Sequence, residues 1–179
     1  MILASKSPRR QELLRYITED FTVKCADVDE TLPENITPAE AVCYLSKIKA
    51  QPFENENDVV IGADTVVAID GKILGKPHSI TDAKAMLTLL SGKTHSVFTG
   101  VTVIKDRKYT TFFCETRVTF FELTESEIDA YIQTGEPLDK AGAYGIQGYG
   151  SLLVEKIDGD YFNVVGLPVS KLNRLLSVL

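Results

Sequence analysis

The sequence predicts an α/β (α+β) fold in which a mixed β-sheet is flanked by helices. Apolar, β-branched segments alternate with segments of helical periodicity, and tight turns join several of the predicted strands, so crossover and hairpin connections both occur. Hydrophobic residues make up 44% of the 179 residues and charged residues 25%, a composition typical of a globular protein. A chain of this length can bury one continuous core, and we therefore expect a single domain over residues 1–179.

The N-terminal third is predicted to run strand, helix, strand, helix. Residues 1–4 form a short apolar segment typical of a buried strand, and Ser7-Pro8 supplies an N-cap followed by proline at the first helical position. Alternation over residues 21–28 indicates a second strand, which ends in acidic side chains. Pro38 begins a second helix, whose last turn carries lysines that suit the negative end of the helix dipole.

The central part is predicted to contain four strands and one helix. A β-branched run over residues 58–69 indicates a strand buried on both faces, and Asp70-Gly71 is a hairpin turn into a short return strand. A helix is expected over residues 81–90. The next two strands, over residues 96–104 and 109–121, are joined by a charged turn.

The C-terminal part is predicted to contain two helices and two strands around a stretch rich in glycine. Residues 124–127 form a capping box of threonine and glutamate, which begins a helix. Residues 141–150, the glycine-rich segment, follow this helix. Strands are expected over residues 152–157 and 161–165, and a closing helix over residues 168–179.

Charge and composition argue against several classes of partner. The net charge of −6 disfavours a broad polyanion-binding surface, so we expect no nucleic-acid partner, although a local basic cluster can still bind a small phosphorylated ligand. No apolar run approaches the ~20 residues that a membrane-spanning helix needs, and no N-terminal leader is evident, so we expect no membrane partner and a cytoplasmic location. The three cysteines are expected to be reduced, buried and structural, and His78 and His95 to be surface or turn residues.

A small group of polar residues lies where the first strand gives way to the first helix: Ser5, Ser7, Arg9 and Arg10. A helix N-terminus presents free backbone N–H groups and the positive end of the helix dipole to an anion. Two arginines there can offer planar forks to phosphate oxygens. The alternative interpretation is a helix-capping turn with solvated surface arginines.

Asp64 interrupts the apolar run of residues 59–67. An ionised carboxylate inside a buried strand is costly unless it is paired or binds a metal, which predicts a functional role for Asp64. The alternative is an inert, hydrogen-bonded aspartate at a bulge or a strand end. Glu30, Lys49 and Lys76 are uninformative one by one. With Asp64 they supply the metal ligands, the base and the cations that hydrolysis of a phosphoanhydride needs.

Six segments taken together carry a family resemblance, and they are residues 3–10, 62–67, 75–77, 90–95, 139–148 and 159–168. They resemble, in order and across essentially the whole chain, the Maf family of nucleotide pyrophosphatases. The resemblance implies an elongated mixed sheet with helices around a central cleft, as in inosine triphosphate pyrophosphatases, and it allows for a homodimer. It also implies a divalent metal cation, Mg²⁺ or Mn²⁺, as cofactor.

The resemblance further implies roles for single residues. Asp64 corresponds to the aspartate that accepts a proton from the attacking water, and Lys49 and Lys76 correspond to lysines required for activity. Glu30 and Asp64 correspond to the metal site. The implied substrate-binding residues are Ser5, Arg9, Arg10, Thr65, Lys140 and Gln147, of which Arg9, Thr65 and Gln147 match the trio linked to base selection in the dTTP and UTP branch.

The function implied by the resemblance is metal-dependent hydrolysis of dTTP and UTP to the monophosphate and pyrophosphate, as house-cleaning of nucleotide pools. A glutamine amide both donates and accepts hydrogen bonds, as the O4/N3 edge of uracil or thymine requires, so Gln147 suits these bases. Two alternatives stay open. One is the same chemistry on CTP or modified pyrimidine nucleotides, and the other is a non-catalytic regulator of septum formation.

Overall fold

The computed structural model describes all residues of the chain, Met1–Leu179. It contains seven strands, which are β1 (Ile2–Leu3), β2 (Thr22–Val23), β3 (Val60–Ile69), β4 (Lys72–Leu74), β5 (Thr94–Lys105), β6 (Lys108–Phe120) and β7 (Val154–Asp158). The six α-helices are α1 (Pro8–Leu14), α2 (Pro38–Ala50), α3 (Ile80–Leu90), α4 (Glu125–Gln133), α5 (Tyr161–Val165) and α6 (Val169–Leu176). Four 3₁₀ turns complete the chain at Gln51–Phe53, Glu136–Asp139, Ala141–Ala143 and Gly148–Leu153.

The seven strands form one mixed sheet in the order β2-β1-β3-β5-β6-β7, with β4 paired to β3. Strand β1 is parallel to both of its neighbours, with Ile2 opposite Thr22 on one side and Val60 on the other. Strand β4 is antiparallel to β3, and β7 is antiparallel to β6. Parallel and antiparallel pairs therefore share one sheet with helices in the connections, and the predicted fold class is confirmed.

The residues group into two compact units. Unit 1 contains Met1–Thr65, Thr99–Cys114 and Gly166–Leu179, and unit 2 contains Val66–Phe98 and Glu115–Val165. Strands β3, β5 and β6 each contribute residues to both units. The organisation of residues 1–179 as a single domain stays a prediction.

Helix α2 lies very close to β3 and β5 within unit 1, and two glycines make this approach possible. A Cβ atom at Gly62 would lie 2.3 Å from the carbonyl oxygen of Ser46, and one at Gly100 would lie 2.2 Å from the carbonyl oxygen of Val42. Both distances are far below van der Waals contact, so any side chain there would force the helix away from the sheet. The close packing brings the last turn of α2, with Lys49, to β3.

Unit 2 has an apolar core built from helices α3 and α4, the sheet and the glycine-rich segment. Phe120 and Tyr144 pack edge to face with ring centroids 4.6 Å apart. The core also includes Val67, Ile69, Leu87, Leu90, Val97, Val118, Ile128, Tyr131 and Leu153. Burial of Tyr144 fixes one point of the glycine-rich segment, whose exposed part follows it.

The predicted helix starts and hairpin turns are present. Thr37 with Glu40 and Thr124 with Glu127 form complete capping boxes at α2 and α4. Asp70 and Gly71 have φ values of 51° and 75°, as a two-residue turn between antiparallel strands requires. No helix combines the length and the apolar character that crossing a membrane requires.

The prediction of a strand over residues 161–165 is wrong, because these residues form helix α5. The carboxylate of Asp160 accepts a hydrogen bond from the Phe162 N–H at 2.8 Å and so starts a helical turn. Asn163 is fully buried and its side-chain nitrogen donates to the carbonyl of Val97 and the hydroxyl of Thr116, each at 3.0 Å. These tertiary contacts override the β-branched character of the segment.

Several of the other expected strands are shorter than predicted. The second strand covers only Thr22–Val23 of the expected residues 21–28. The strand expected from residue 152 begins at Val154, because Gly148–Leu153 forms a 3₁₀ turn. Strand ends are set by pairing with neighbours, which alternation within one segment does not encode.

Histidine and cysteine burial also differ from expectation. His95 is not a surface residue but is 2% exposed, with its Nε2 2.7 Å from the Tyr144 hydroxyl. This burial lowers the pKa of His95 to about 4, so the ring is neutral at pH 7. The cysteines are free as expected, but Cys25 is exposed and the other two are only half-buried.

Candidate functional site

Arg10 is the centre of a hydrogen-bond network in unit 1. Its Nε donates to the carbonyl oxygen of Gly166 at 2.9 Å. Its Nη1 donates to Ser5 Oγ at 3.2 Å, and its Nη2 donates to Thr65 Oγ1 at 3.1 Å. The Thr65 hydroxyl in turn lies 2.9 Å from the hydroxyl of Thr99. Three of the five N–H donors of the guanidinium are thus used inside the protein, and two are left for a ligand.

The local sequence explains why Arg10 turns inward. Ser7 caps α1, with its hydroxyl accepting from the Arg10 N–H at 3.4 Å, and Pro8 occupies the first helical position. The predicted helix-capping turn is therefore present, but Arg10 is not a solvated surface residue. Burial lowers the pKa of Arg10, and the negative charges of Asp64 and Glu30 oppose this effect.

Lys49 joins the two predicted metal-binding carboxylates. Its Nζ lies 2.6 Å from Asp64 Oδ1 and 2.8 Å from Glu30 Oε2. Lys49 comes from the last turn of α2 and Asp64 from the middle of β3, and the glycine at position 62 lets these two elements approach. The side chain of Asp64 is 13% exposed and that of Glu30 is 52% exposed, so the pair opens toward solvent on the Glu30 side.

The donor set fits a hard divalent cation. No group of three or more His, Cys, Asp or Glu side chains converges on one point, so a closed site made only of protein ligands is absent. Mg²⁺ is commonly held by one or two carboxylates together with water and substrate phosphates. Glu30 and Asp64 supply two carboxylates close enough to share the Lys49 ammonium group, and two carboxylates are the protein ligands that such an open site needs.

In unit 2, a backbone hydrogen bond joins the residue before Lys76 to the start of the glycine-rich segment. The N–H of Gly142 donates to the carbonyl oxygen of Gly75 at 3.0 Å. Gly142 has φ of 67°, and a Cβ atom there would lie 2.9 Å from the side chain of Val67, so the position requires glycine. Lys76 follows Gly75 directly. Its side chain is exposed and makes no hydrogen bond or ion pair.

The two predicted substrate-binding residues of unit 2, Lys140 and Gln147, differ in their surroundings. Lys140 is engaged within the protein, since its Nζ donates to the carbonyl of Glu136 at 2.6 Å and to the carboxylate of Asp139 at 2.7 Å. Its aliphatic stem lies against Gly145. Gln147 is exposed, and its amide makes no hydrogen bond within the chain. Gln147 is therefore available to a ligand, whereas Lys140 would have to give up present partners.

The structure brings the predicted residues of unit 1 into two adjoining groups. Ser5, Arg10 and Thr65 form one group and Glu30, Lys49 and Asp64 the other, and Asp64 and Thr65 are neighbours on β3. Arg9 is half-buried beside Arg10 and contributes to lowering the pKa of Arg10. Lys76, Lys140 and Gln147 belong to unit 2.

Two participants in the Arg10 network were not predicted from the sequence. Gly166 offers a backbone carbonyl from the far end of the chain, and its φ of 126° is a conformation that favours glycine. Thr99 is fully buried on β5, where it faces the Thr65 hydroxyl. A threonine within a long apolar strand was the available signal for Thr99. No local signal points to the carbonyl of Gly166.

Comparison with known proteins gives a consistent result along the chain. The family described as Maf-like protein matches residues 1–179. A dTTP/UTP pyrophosphatase of Bacillus pumilus (strain SAFR-032) is 56% identical over 178 residues, covering 98% of this chain and 94% of the relative. A dTTP/UTP pyrophosphatase of Bacillus cytotoxicus is 52% identical over 177 residues, covering 98% and 93%.

The fold is also similar to that of a solved structure. The structure of a HAM1 protein from Coxiella burnetii superposes with a TM-score of 0.55 and covers 99% of this chain and 98% of that one. The two sequences are only 12% identical, so the likeness concerns the fold alone.

Proposed function

The chain belongs to the Maf-like protein family, and we propose that it is a nucleoside triphosphate pyrophosphatase that hydrolyses dTTP and UTP to the monophosphate and pyrophosphate. The observation that carries this proposal is the identity above 50% with dTTP/UTP pyrophosphatases over nearly the whole chain. The charged groups of unit 1 support it. A pure binding protein has no need for two carboxylates that share one ammonium group next to a part-buried arginine.

Asp64 is the proposed proton acceptor. In this mechanism the oxygen of a water molecule bonds to the α phosphorus while Asp64 takes its proton. The bond from this phosphorus to the bridging oxygen breaks, and pyrophosphate leaves with that electron pair. Lys49 holds the Asp64 carboxylate at 2.6 Å and fixes its direction for this proton transfer.

Glu30 and Asp64 are the residues that would hold a divalent cation, Mg²⁺ or Mn²⁺. When bound, such an ion supplies positive charge to the phosphate oxygens. Lys76 is the proposed additional cation for the triphosphate, because its ammonium group has no partner in the protein. In unit 1, the two N–H donors of Arg10 that make no hydrogen bond within the protein are proposed to bind phosphate oxygens as well.

Gln147, Arg9 and Thr65 are the proposed base-selecting residues. The free amide of Gln147 can donate to O4 and accept from N3–H of uracil or thymine. A methyl group at C5 adds little discrimination, so UTP and dTTP should both be substrates. Lys140 is a proposed phosphate ligand that must first release Asp139.

The proposed compartment is the cytoplasm, which the three unpaired cysteines favour, since disulfides are rare there. A homodimer is the proposed assembly.

A release assay over a nucleotide panel tests the proposed function. The purified protein is incubated with UTP, dTTP, CTP, GTP and ATP in the presence of Mg²⁺, and pyrophosphate and orthophosphate are measured separately. We expect pyrophosphate and monophosphate from UTP and dTTP, no turnover with chelator, and recovery on adding Mg²⁺. Formation of nucleoside diphosphate and orthophosphate would overturn the proposal, and turnover of CTP in preference to UTP would overturn the base assignment.

A further inference from the structure

The glycine-rich segment holds its backbone fixed on both sides of Gln147 while leaving that side chain free. The N–H of Gly145 donates to the hydroxyl oxygen of Tyr131 at 3.2 Å. On the other side, the N–H groups of Tyr149 and Gly150 donate to the two carboxylate oxygens of Glu136 at 3.1 and 3.3 Å. Two side chains from outside the segment thus bind it at three backbone positions.

Tyr131 and Glu136 lie directly against this backbone. A Cβ atom at Gly148 would lie 2.4 Å from Glu136 Oε1, and one at Gly150 would lie 2.8 Å from the Tyr131 hydroxyl oxygen. A Cβ atom at Gly150 would also lie 2.0 Å from the carbonyl oxygen of Gly145, so this position requires glycine. Gly148 has φ of 62°, a conformation that favours glycine as well.

The two anchors also interact electrostatically. Burial raises the pKa of Tyr131, and the negative charge of the nearby Glu136 carboxylate raises it further. Tyr131 comes from α4 and belongs to the core of unit 2, whereas Glu136 begins the 3₁₀ turn that follows α4. The segment that carries Gln147 is thereby attached to the rigid part of unit 2 through one tyrosine and one glutamate.

We propose that Glu136 and Tyr131 are specificity-positioning residues that fix Gln147 for reading the pyrimidine base, an inference that rests on the proposed function. The amide of Gln147 can pair with the edge of uracil and, turned over, with that of cytosine. Discrimination therefore depends on how firmly the backbone fixes this side chain. Neither anchor contacts the phosphates in this assignment, so they act on base choice and not on bond cleavage.

Glu136→Gln is the variant that tests the assignment. Glutamine keeps the size of the side chain but offers only one acceptor oxygen, and its NH₂ group then faces a backbone N–H donor. One of the two anchors at Tyr149 and Gly150 is lost. We expect the ratio of kcat/KM for UTP to that for CTP to fall roughly three- to tenfold, with a smaller change in kcat for UTP.

Glu127→Gln provides the matched control. Glu127 lies in α4, the helix that precedes Glu136, and its carboxylate also accepts a backbone N–H, that of Thr124 at 2.7 Å, but it makes no hydrogen bond to the glycine-rich segment. The variant carries the same loss of charge and of a local hydrogen bond. It should leave the UTP to CTP ratio unchanged.

A double-mutant cycle decides whether Glu136 acts through Gln147. In a Gln147→Ala background, Glu136→Gln should cause no further change in the UTP to CTP ratio. Amide hydrogen exchange of Tyr149 and Gly150 should quicken in Glu136→Gln and not in Glu127→Gln. Tyr131→Phe, which frees the Gly145 N–H, should lower the same ratio if Glu136→Gln does not fold.

Each outcome bears on the assignment. An additive effect in the cycle, or an unchanged ratio in a variant whose amides exchange faster, overturns it. If amide hydrogen exchange of Tyr149 and Gly150 is unchanged in Glu136→Gln, then Glu136 does not anchor the backbone of the glycine-rich segment. Failure of the proposed function is a separate result: it appears as a wild-type protein that does not turn over UTP, or as a Gln147→Ala variant with the wild-type ratio.

Discussion

Replacing Asp64 with asparagine should remove most of the turnover and leave the protein folded. Asparagine keeps the size of the side chain and an oxygen that can still accept from the Lys49 ammonium, which lies 2.6 Å from the carboxylate. It removes the negative charge and the basicity that proton transfer from water needs. We expect kcat/KM for UTP to fall on the order of 100-fold or more.

The stability cost of this change can be bounded from the same geometry. At 2.6 Å the attraction between Asp64 and Lys49 is about 6 kcal/mol for an effective dielectric constant of ~20. Removing both charges from water offsets most of this attraction, and Lys49 keeps Glu30 at 2.8 Å as a partner. The net loss should be about 1–2 kcal/mol, which lowers Tm by about 2–8 °C for a chain of this length.

The assay measures pyrophosphate release and thermal unfolding on the same preparations. Asp129→Asn is the matched control, because this carboxylate also pairs with a lysine, Lys84 at 2.7 Å, on the surface of unit 2. The control should keep wild-type turnover with a Tm change of no more than a few degrees. A folded Asp64→Asn variant with near wild-type turnover would refute the catalytic role of Asp64.

Three further changes test the packing and electrostatics around the site. Gly62→Ala places a Cβ atom 2.3 Å from a helix carbonyl oxygen and should lower the free energy of unfolding by at least about 1–3 kcal/mol. Gly75→Ala is the control: no atom lies within 4 Å of the added Cβ atom, so Tm should not fall. In Arg10→Lys the ammonium group cannot reproduce the forked contacts of the guanidinium to Gly166 and the neighbouring hydroxyls, so Tm should fall by several degrees. Denaturant titration should show that the free energy of unfolding falls by about 2 kcal/mol. An unchanged denaturation midpoint would contradict the hydrogen-bond network. His95 has a pKa of about 4 in the folded protein and 6.5 in the unfolded chain, so the unfolded chain takes up the proton first as the pH drops. The free energy of unfolding should therefore fall between pH 6.5 and pH 4, by about 3 kcal/mol at most. A His95→Gln variant should lose that slope between pH 6.5 and 4, and the same slope in wild type and variant would show that other groups cause it.

The sequence predicted the local elements well where a cap or a turn sets them. The capping boxes at Thr37 and Thr124 and the turn at Asp70-Gly71 involve residues at most three positions apart, so their chemistry can be read within a short window. The candidate residues were also identifiable, since Asp64 is a carboxylate within an apolar run. Their roles in binding and catalysis stay predictions.

Helix α5 and His95 show where this reasoning fails. Residues 161–165 are rich in strand-forming side chains, yet a buried asparagine with two hydrogen-bond partners holds them in a helix. His95 lies in a polar stretch of sequence, yet β5 turns it toward Tyr144, which is 49 positions further along the chain. Neither partner is visible in a local window.

The sequence by itself determined the mixed α/β architecture, the helix starts, the hairpin turns and the residue types that can carry hydrolysis of a phosphoanhydride. Only the tertiary structure decided that Lys49 joins Glu30 and Asp64, and that Arg10 faces inward to a carbonyl 156 positions away. Local elements follow from backbone conformation and capping over a few residues, which a short stretch of chain encodes. The direction and partners of a charged side chain depend on which distant groups can satisfy it once it is buried, and burial is decided by the packing of the whole fold.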